Sequence, residues 1–154
     1  MAVTHALDLD APAIGFRHLS SNSFLNLQAN RWLVTEQAAA DFLRLHLGHE
    51  RVEVSLVLLL NRQNRLINCV ELSRGTVAEN TVYVREVVKL ALDHYADSLI
   101  VAHNHPGGAA EPSPSDIEWT GRLKQALELV DVRLLDHFIV TARQAVSLAE
   151  QGLL

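Results

Sequence analysis

Apolar and polar positions along this chain follow two rhythms. From Thr35 to Leu47 the apolar residues Ala38, Ala39, Phe42, Leu43, Leu45 and Leu47 fall at helical spacing, and Gly48 supplies a stop. Val52 to Leu60 is an apolar run of strand length, and Asn61-Arg62-Gln63-Asn64 reads as a turn. A second strand is expected from about Leu66 to Leu72, completing a hairpin signature. Ser73-Arg74-Gly75-Thr76 reads as a turn or loop. Val84, Val87, Val88, Ala91 and Tyr95 return to helical spacing and predict a helix over 84–96. Ser98-Leu99-Ile100-Val101-Ala102 is a short, nearly continuous apolar run, the pattern of a strand buried on both faces. A helix from Ser113 to about Val130, a strand from Val132 to Val140 and a short helix over about 143–150 complete the reading. Strands interleaved with helices imply an α/β layered domain.

Residues 1 to about 30 lack sustained periodicity. Residues 1–34 therefore read as a partly ordered N-terminal extension, with Trp32 packed near a domain at 35–154. A length of 154 residues fits one domain with a substantial core. The longest strongly apolar stretch, Val54 to Leu60, is too short to span a bilayer, and the N-terminus lacks a secretory pattern. A lone cysteine, Cys69, excludes an intrachain disulfide framework and makes a reducing cytoplasm the expected location. The net charge of −5 argues against strong sequence-independent nucleic-acid binding, which needs Lys and Arg to neutralise phosphates. Leu, Val and Ala are plentiful enough to build a homodimer face.

The chemistry concentrates after the strand at 98–102. His103-Asn104-His105 is followed by Ser113 and Asp116, so the segment reads His-x-His-x7-Ser-x2-Asp. With 8 His in 154 residues, a lone His-x-His is expected by chance about 0.4 times, so the pair gains weight only from its context. Strand alternation turns residues 103 and 105 to one side, and Pro106-Gly107-Gly108 then opens a loop. Two imidazoles and a carboxylate are ligands of the kind that hold a catalytic zinc and leave the fourth position to water. A closed structural zinc site would want four protein ligands, usually with thiolates, which one cysteine cannot supply.

Other readings compete at several of these residues. Ser113 would be a good N-cap, Pro114 a favoured first helical residue and Asp116 a capping-box partner, which alone would account for both polar side chains. A hydrolase also needs an acid/base group, and no His-Glu-x-x-His is present. Glu53 is the best candidate, because a carboxylate in an otherwise apolar strand is costly to bury without a partner and buried ionisable groups concentrate at functional sites; the alternative is solvation at the sheet edge. Glu111 is a rival on a flexible loop. His137 could approach the site or be a hydrogen-bonded core histidine, while Asp136 points to the opposite face. Thr76 could line a cleft or satisfy a turn, His94 reads as a surface residue, and Cys69 and Trp119 read as packing.

Taken together, Glu53-Val54 through Leu60-Asn61, Arg74-Gly75-Thr76, Val84-Arg85-Glu86, Ala102-His103-Asn104-His105-Pro106, Pro112-Ser113 with Asp116, and Leu135-Asp136-His137-Phe138-Ile139 resemble the JAMM (JAB/MPN) metalloenzyme domain, most closely its RadC-type branch. The resemblance covers roughly residues 35–150. It implies a cytidine-deaminase-like α/β/α sandwich with a mixed sheet. It also implies Zn2+ held by His103, His105 and Asp116, Glu53 as proton shuttle and Ser113 as oxyanion donor, in a hydrolase acting on a peptide or isopeptide bond of a protein or peptide substrate. Alternatives are a DNA-repair-associated or mobile-element protein acting by nucleic-acid or protein binding, and a catalytically silent metal-bound scaffold. A nucleobase deaminase is disfavoured, because the His-x-Glu and Pro-Cys-x-x-Cys pair is absent. Gly107 stands where RadC-type chains commonly have Ser, and Ala109-Ala110-Glu111 replaces a more usual Asp-Pro-Thr. Residues 1–34 are too short for the helix-hairpin-helix region of full-length RadC proteins.

Overall fold

A strand that is apolar on both faces requires a layer on each side, and the chain provides both. The computed structural model describes residues 17–18, 34–75 and 82–154. Its elements run β1 (Arg17–His18), α1 (Glu36–Leu47), β2 (Glu53–Leu60), β3 (Leu66–Gly75), α2 (Val84–Asp93), β4 (Ser98–Asn104), α3 (Pro114–Glu128), β5 (Arg133–Val140) and β6 (Ala145–Ser147). The six strands form one sheet in the order β1-β3-β2-β4-β5-β6. β4 and β5 are parallel and every other pair is antiparallel, so the sheet is mixed.

The pleat sorts the sheet into two cores. Val54, Leu56, Leu58 and Leu60 of β2 face α1, packing with Ala39, Phe42, Leu43 and Leu47 of that helix. Val57 and Leu59 of the same strand face α2 and α3, where they meet Val87, Leu90, Leu123 and Leu127. The result is an α/β/α sandwich, as the alternation of elements implies. A residue's position in the pleat therefore decides which layer it meets. Residues 53, 55, 57 and 59 of β2 and 99, 101 and 103 of β4 share the α2/α3 side.

Several boundaries differ from the sequence reading. β3 continues through Ser73, Arg74 and Gly75, expected to be a turn, because Glu53 and Val54 at the start of β2 pair with Gly75 and Arg74. Arg74 is held there by paired hydrogen bonds to Glu71 (2.9 and 3.0 Å) and Glu50 (3.0 and 3.2 Å). β4 runs two residues past Ala102 because β5 pairs with it in parallel through Asn104↔Val140. The helix expected over 84–96 stops at Asp93. Tyr95 takes a left-handed backbone (φ 52), while Tyr95 N–H and Ala96 N–H bond back to the Leu92 and Ala91 carbonyls. That Schellman ending needs no glycine here, so the sequence carried no stop signal.

The short helix expected over 143–150 is replaced by β6 and a turn. Thr141 N–H donates to Gln144 O at 2.8 Å, closing a tight turn that folds Ala145–Ser147 back onto β5. An open edge of β5 offers ladder partners, which outweighs the helix preference of Ala145, Leu148, Ala149 and Glu150. Thr76 and Trp32 lie outside the described residues, as does the extension expected over 1–34 apart from Arg17–His18 and Val34. Arg17 and His18 pair with Glu71 and Val70 at the edge of β3. Among the described residues no helix is long and apolar enough to cross a membrane.

Candidate metal centre

β4 carries His103 to the end of the sheet on the α2/α3 side, and the chain continues directly to His105. Asp116 arrives from the first turn of α3. His103 Nε2 and His105 Nε2 lie 3.0 Å apart, Asp116 Oδ1 lies 3.3 Å from the first and Asp116 Oδ2 lies 3.4 Å from the second. Tetrahedral zinc with ligand bonds of about 2.0–2.2 Å sets neighbouring ligand atoms about 3.3–3.5 Å apart. The donor set and its spacing therefore fit a small divalent ion with three protein ligands, and these residues form a group able to hold one. His105 is oriented by its other nitrogen. Nδ1 lies 3.0 Å from the Ala109 carbonyl, which can only accept, so Nδ1 carries the hydrogen and Nε2 presents a lone pair.

Capping and convergence coexist at Asp116. Ser113 is the N-cap of α3, accepting from Asp116 N–H at 3.1 Å, while Asp116 Oδ2 accepts from Ser113 N–H at 2.8 Å. Partial burial pushes the Asp116 carboxyl upward. The hydrogen bond and charge of His103, followed by the Ser113 bonds, outweigh that and hold it well below the usual carboxylate range. His103, with the capping box behind it, therefore holds the carboxylate ionised, and the box fixes its position beside both imidazoles. Ser113 Oγ also lies 2.9 Å from Ser115 Oγ.

Glu53 begins β2, and its side chain shares a cleft of about 110 Å³ with Ser55, His103, Asp116, Trp119 and His137. It therefore lines the same cleft as His103 and Asp116. Ser55 pairs with His103 in the ladder. One step on, the side chain of Asn104 continues the strand contact: its Oδ1 accepts from Val54 N–H at 2.6 Å and its Nδ2 donates to Val52 O at 2.9 Å. Glu111 is exposed and does not line this cleft.

Sequence reasoning left Asn104 and Thr120 aside and did not settle His137. His137 is indeed a buried, hydrogen-bonded histidine, 2 % exposed, but one of its partners is His103: the His137 Nε2 to His103 Nδ1 distance is 2.8 Å. Burial, followed by the charge of His103, pushes the His137 imidazole down to about 3. Thr120 Oγ1 lies 2.6 Å from His137 Nδ1 and 2.6 Å from the Asp116 carbonyl, to which it donates. A usable signal existed, because Asp116, Thr120, Leu123 and Leu127 share one helical face, placing a hydroxyl one turn below the carboxylate. Trp119 does more than pack: its Nε1–H donates to Val82 O at 2.8 Å and its ring meets His137 edge-on at 5.8 Å. His94, read as a surface residue, is half-buried and bonds Leu90 O at 2.8 Å. Cys69 is a core residue whose thiol burial pushes far up.

Comparison with known proteins agrees with this architecture. The model of the RadC-like JAB domain matches residues 33–153, so the chain belongs to that family. It is 65% identical over 128 residues to a UPF0758 protein of Neisseria meningitidis serogroup C, covering 83% of this chain and 57% of that protein. A UPF0758 protein of Aromatoleum aromaticum is 61% identical over 118 residues, covering 76% of this chain and 52% of the relative. One of Chromobacterium violaceum is 52% identical over 120 residues, covering 78% and 54%. The chain thus spans a little over half the length of these relatives.

Proposed function

We propose that this chain is a zinc-dependent hydrolase that cleaves an amide bond, peptide or isopeptide, in a protein or peptide substrate. The observation that supports it most is the convergence of His103 Nε2 and His105 Nε2, 3.0 Å apart, on the Asp116 carboxylate, whose Oδ1 lies 3.3 Å from the first and Oδ2 3.4 Å from the second. When bound, zinc supplies Lewis acidity and a water whose pKa falls to about 7. The remaining work belongs to side chains. The Glu53 carboxylate takes the proton of the attacking water and returns it to the leaving amine nitrogen. The Ser113 hydroxyl donates to the oxygen that gains negative charge as the carbonyl carbon becomes tetrahedral. Val82, Val101 and Trp119 form an apolar wall of the cleft, which lowers the local dielectric and strengthens charge interactions against it.

Elemental analysis of the purified chain beside a screen of peptide and isopeptide libraries tests this reading. The expected result is one zinc per chain in wild type and in Glu53→Gln, none in His103→Ala or Asp116→Ala, and cleavage by wild type alone. A wild-type chain that takes up no divalent metal, or full turnover by Glu53→Gln, would overturn it. Metal uptake without cleavage of any library would instead favour a metal-bound scaffold.

A further inference from the structure

His137 and Thr120 stand behind the three proposed ligands without contributing a ligand atom. Thr120 is fully buried, and its Oγ1 touches the Asp116 carbonyl and His137 Nδ1, each at 2.6 Å. A carbonyl oxygen only accepts, so the single hydroxyl proton of Thr120 is committed to Asp116. Thr120 Oγ1 must then accept from His137, which places the hydrogen of that ring on Nδ1. The Nε2 of the neutral His137 ring is left as an acceptor, and it faces His103 Nδ1 at 2.8 Å. His103 therefore donates through Nδ1, and its Nε2 is the nitrogen turned toward His105 and Asp116.

We propose that Thr120 and His137 are positioning residues, a hydrogen-bond relay that fixes the ring orientation and tautomer of His103 for metal ligation; the relay rests on the zinc reading above. It begins at the Asp116 main chain and ends on the His103 ring, so one relay ties two ligands from different elements to one another. The helix back-bond from Thr120 to the carbonyl four residues earlier is common in itself. Here it removes the only freedom that would let His137 present the opposite face of its hydrogen-bonding pattern. The His137 ring is buried, 2 % exposed, and packs against the edge of Trp119.

Long-range 15N–1H correlation spectra of the 154-residue chain, taken with and without zinc at mildly alkaline pH, read the His137 tautomer directly. The expected form is Nδ1-protonated with Nε2 bare, in both states. Competition titration with zinc then compares wild type, Thr120→Val and Thr120→Ser. Thr120→Val keeps the shape and removes the acceptor, so zinc affinity should fall about tenfold, the low end of the usual effect of losing an outer partner. Thr120→Ser, which restores the hydroxyl, should bind zinc as wild type does. An Nε2-protonated His137 in the wild-type chain, or wild-type zinc affinity in Thr120→Val, would overturn the relay. Should wild type take up no zinc, the hydrolase reading fails, and the His137 tautomer alone decides whether the relay exists.

Discussion

Asn104 brackets Glu53. Its side chain accepts from Val54 N–H at 2.6 Å and donates to Val52 O at 2.9 Å, gripping the main chain on both sides of the proposed proton shuttle. The histidines before and after Asn104 turn to Asp116, while Asn104 turns to β2. One tripeptide thus carries two proposed ligands and the fixture for the residue that would serve them. A third contact, to Glu50 O at 3.4 Å, extends the grip to the segment that Arg74 holds from the other side.

Replacing Asn104 should loosen the start of β2 without removing a ligand. Asn104→Ala leaves the buried Val54 N–H and the partly buried Val52 carbonyl without their partner, which costs about 2–6 kcal/mol at roughly 1–3 kcal/mol for each orphaned group. Amide exchange at Val54 should accelerate by at least an order of magnitude, about the effect of 1.4 kcal/mol of lost protection. Zinc stoichiometry should stay unchanged. Unaltered exchange at Val54 would remove Asn104 from this role.

The two functions of the Ser113–Asp116 capping box can be separated. Ser113→Ala removes the N-cap acceptor and should cost about 1 kcal/mol, a fall in melting temperature of roughly 2–4 °C. It should leave metal uptake intact. Asp116→Ala should destabilise the helix similarly and abolish metal uptake as well. Equal metal loss in both variants would mean that the cap, and not the carboxylate, controls the centre.

Acid should destabilise the metal-free chain through His137. The imidazole is pushed from its ordinary 6.5 to about 3, chiefly by burial. The unfolded chain therefore takes up a proton below pH 6.5 that the folded chain refuses until about pH 3. Stability is complete above pH 6.5 and declines as pH falls from 6.5 toward 3, with a slope approaching about 1.4 kcal/mol per pH unit. Thermal melts across that range should show the decline, and His137→Gln should flatten it. An equal slope in the variant would place the titration elsewhere.

Asp136 should matter to the fold and not to the centre. It faces the α1 side, where it accepts from Ser147 Oγ at 2.5 Å, His137 N–H at 2.7 Å and Ala149 N–H at 3.0 Å. Burial pushes its carboxyl up against those bonds. Asp136→Ala should cost about 3 kcal/mol by leaving these donors unpaired, lowering the melting temperature by roughly 6–12 °C. Wild-type stability in this variant would mean that β6 is held by its ladder alone.

Much of this architecture is legible in the order of residues. The apolar run from Val54 to Leu60 demands a layer on each face, which already implies a sandwich. His103 and His105 share a side because a strand alternates, and Ser113, Pro114 and Asp116 announce a helix start wherever they occur. These are local consequences of backbone geometry, and they survive unchanged in the folded chain.

What the order of residues could not decide depends on neighbours brought together across the sheet. Residues 73–75 and 145–147 become strand because β2 and β5 have edges to pair, a condition set by the topology and not by their own propensities. The partnership of His137 with His103 spans 34 positions and that of Asn104 with Val54 spans 50, and each needs a parallel or antiparallel register to exist. A histidine on an apolar strand reads the same whether it faces a methyl group or another imidazole. Packing against α3 puts a hydroxyl on one nitrogen of His137, and the pairing of β4 with β5 puts His103 on the other.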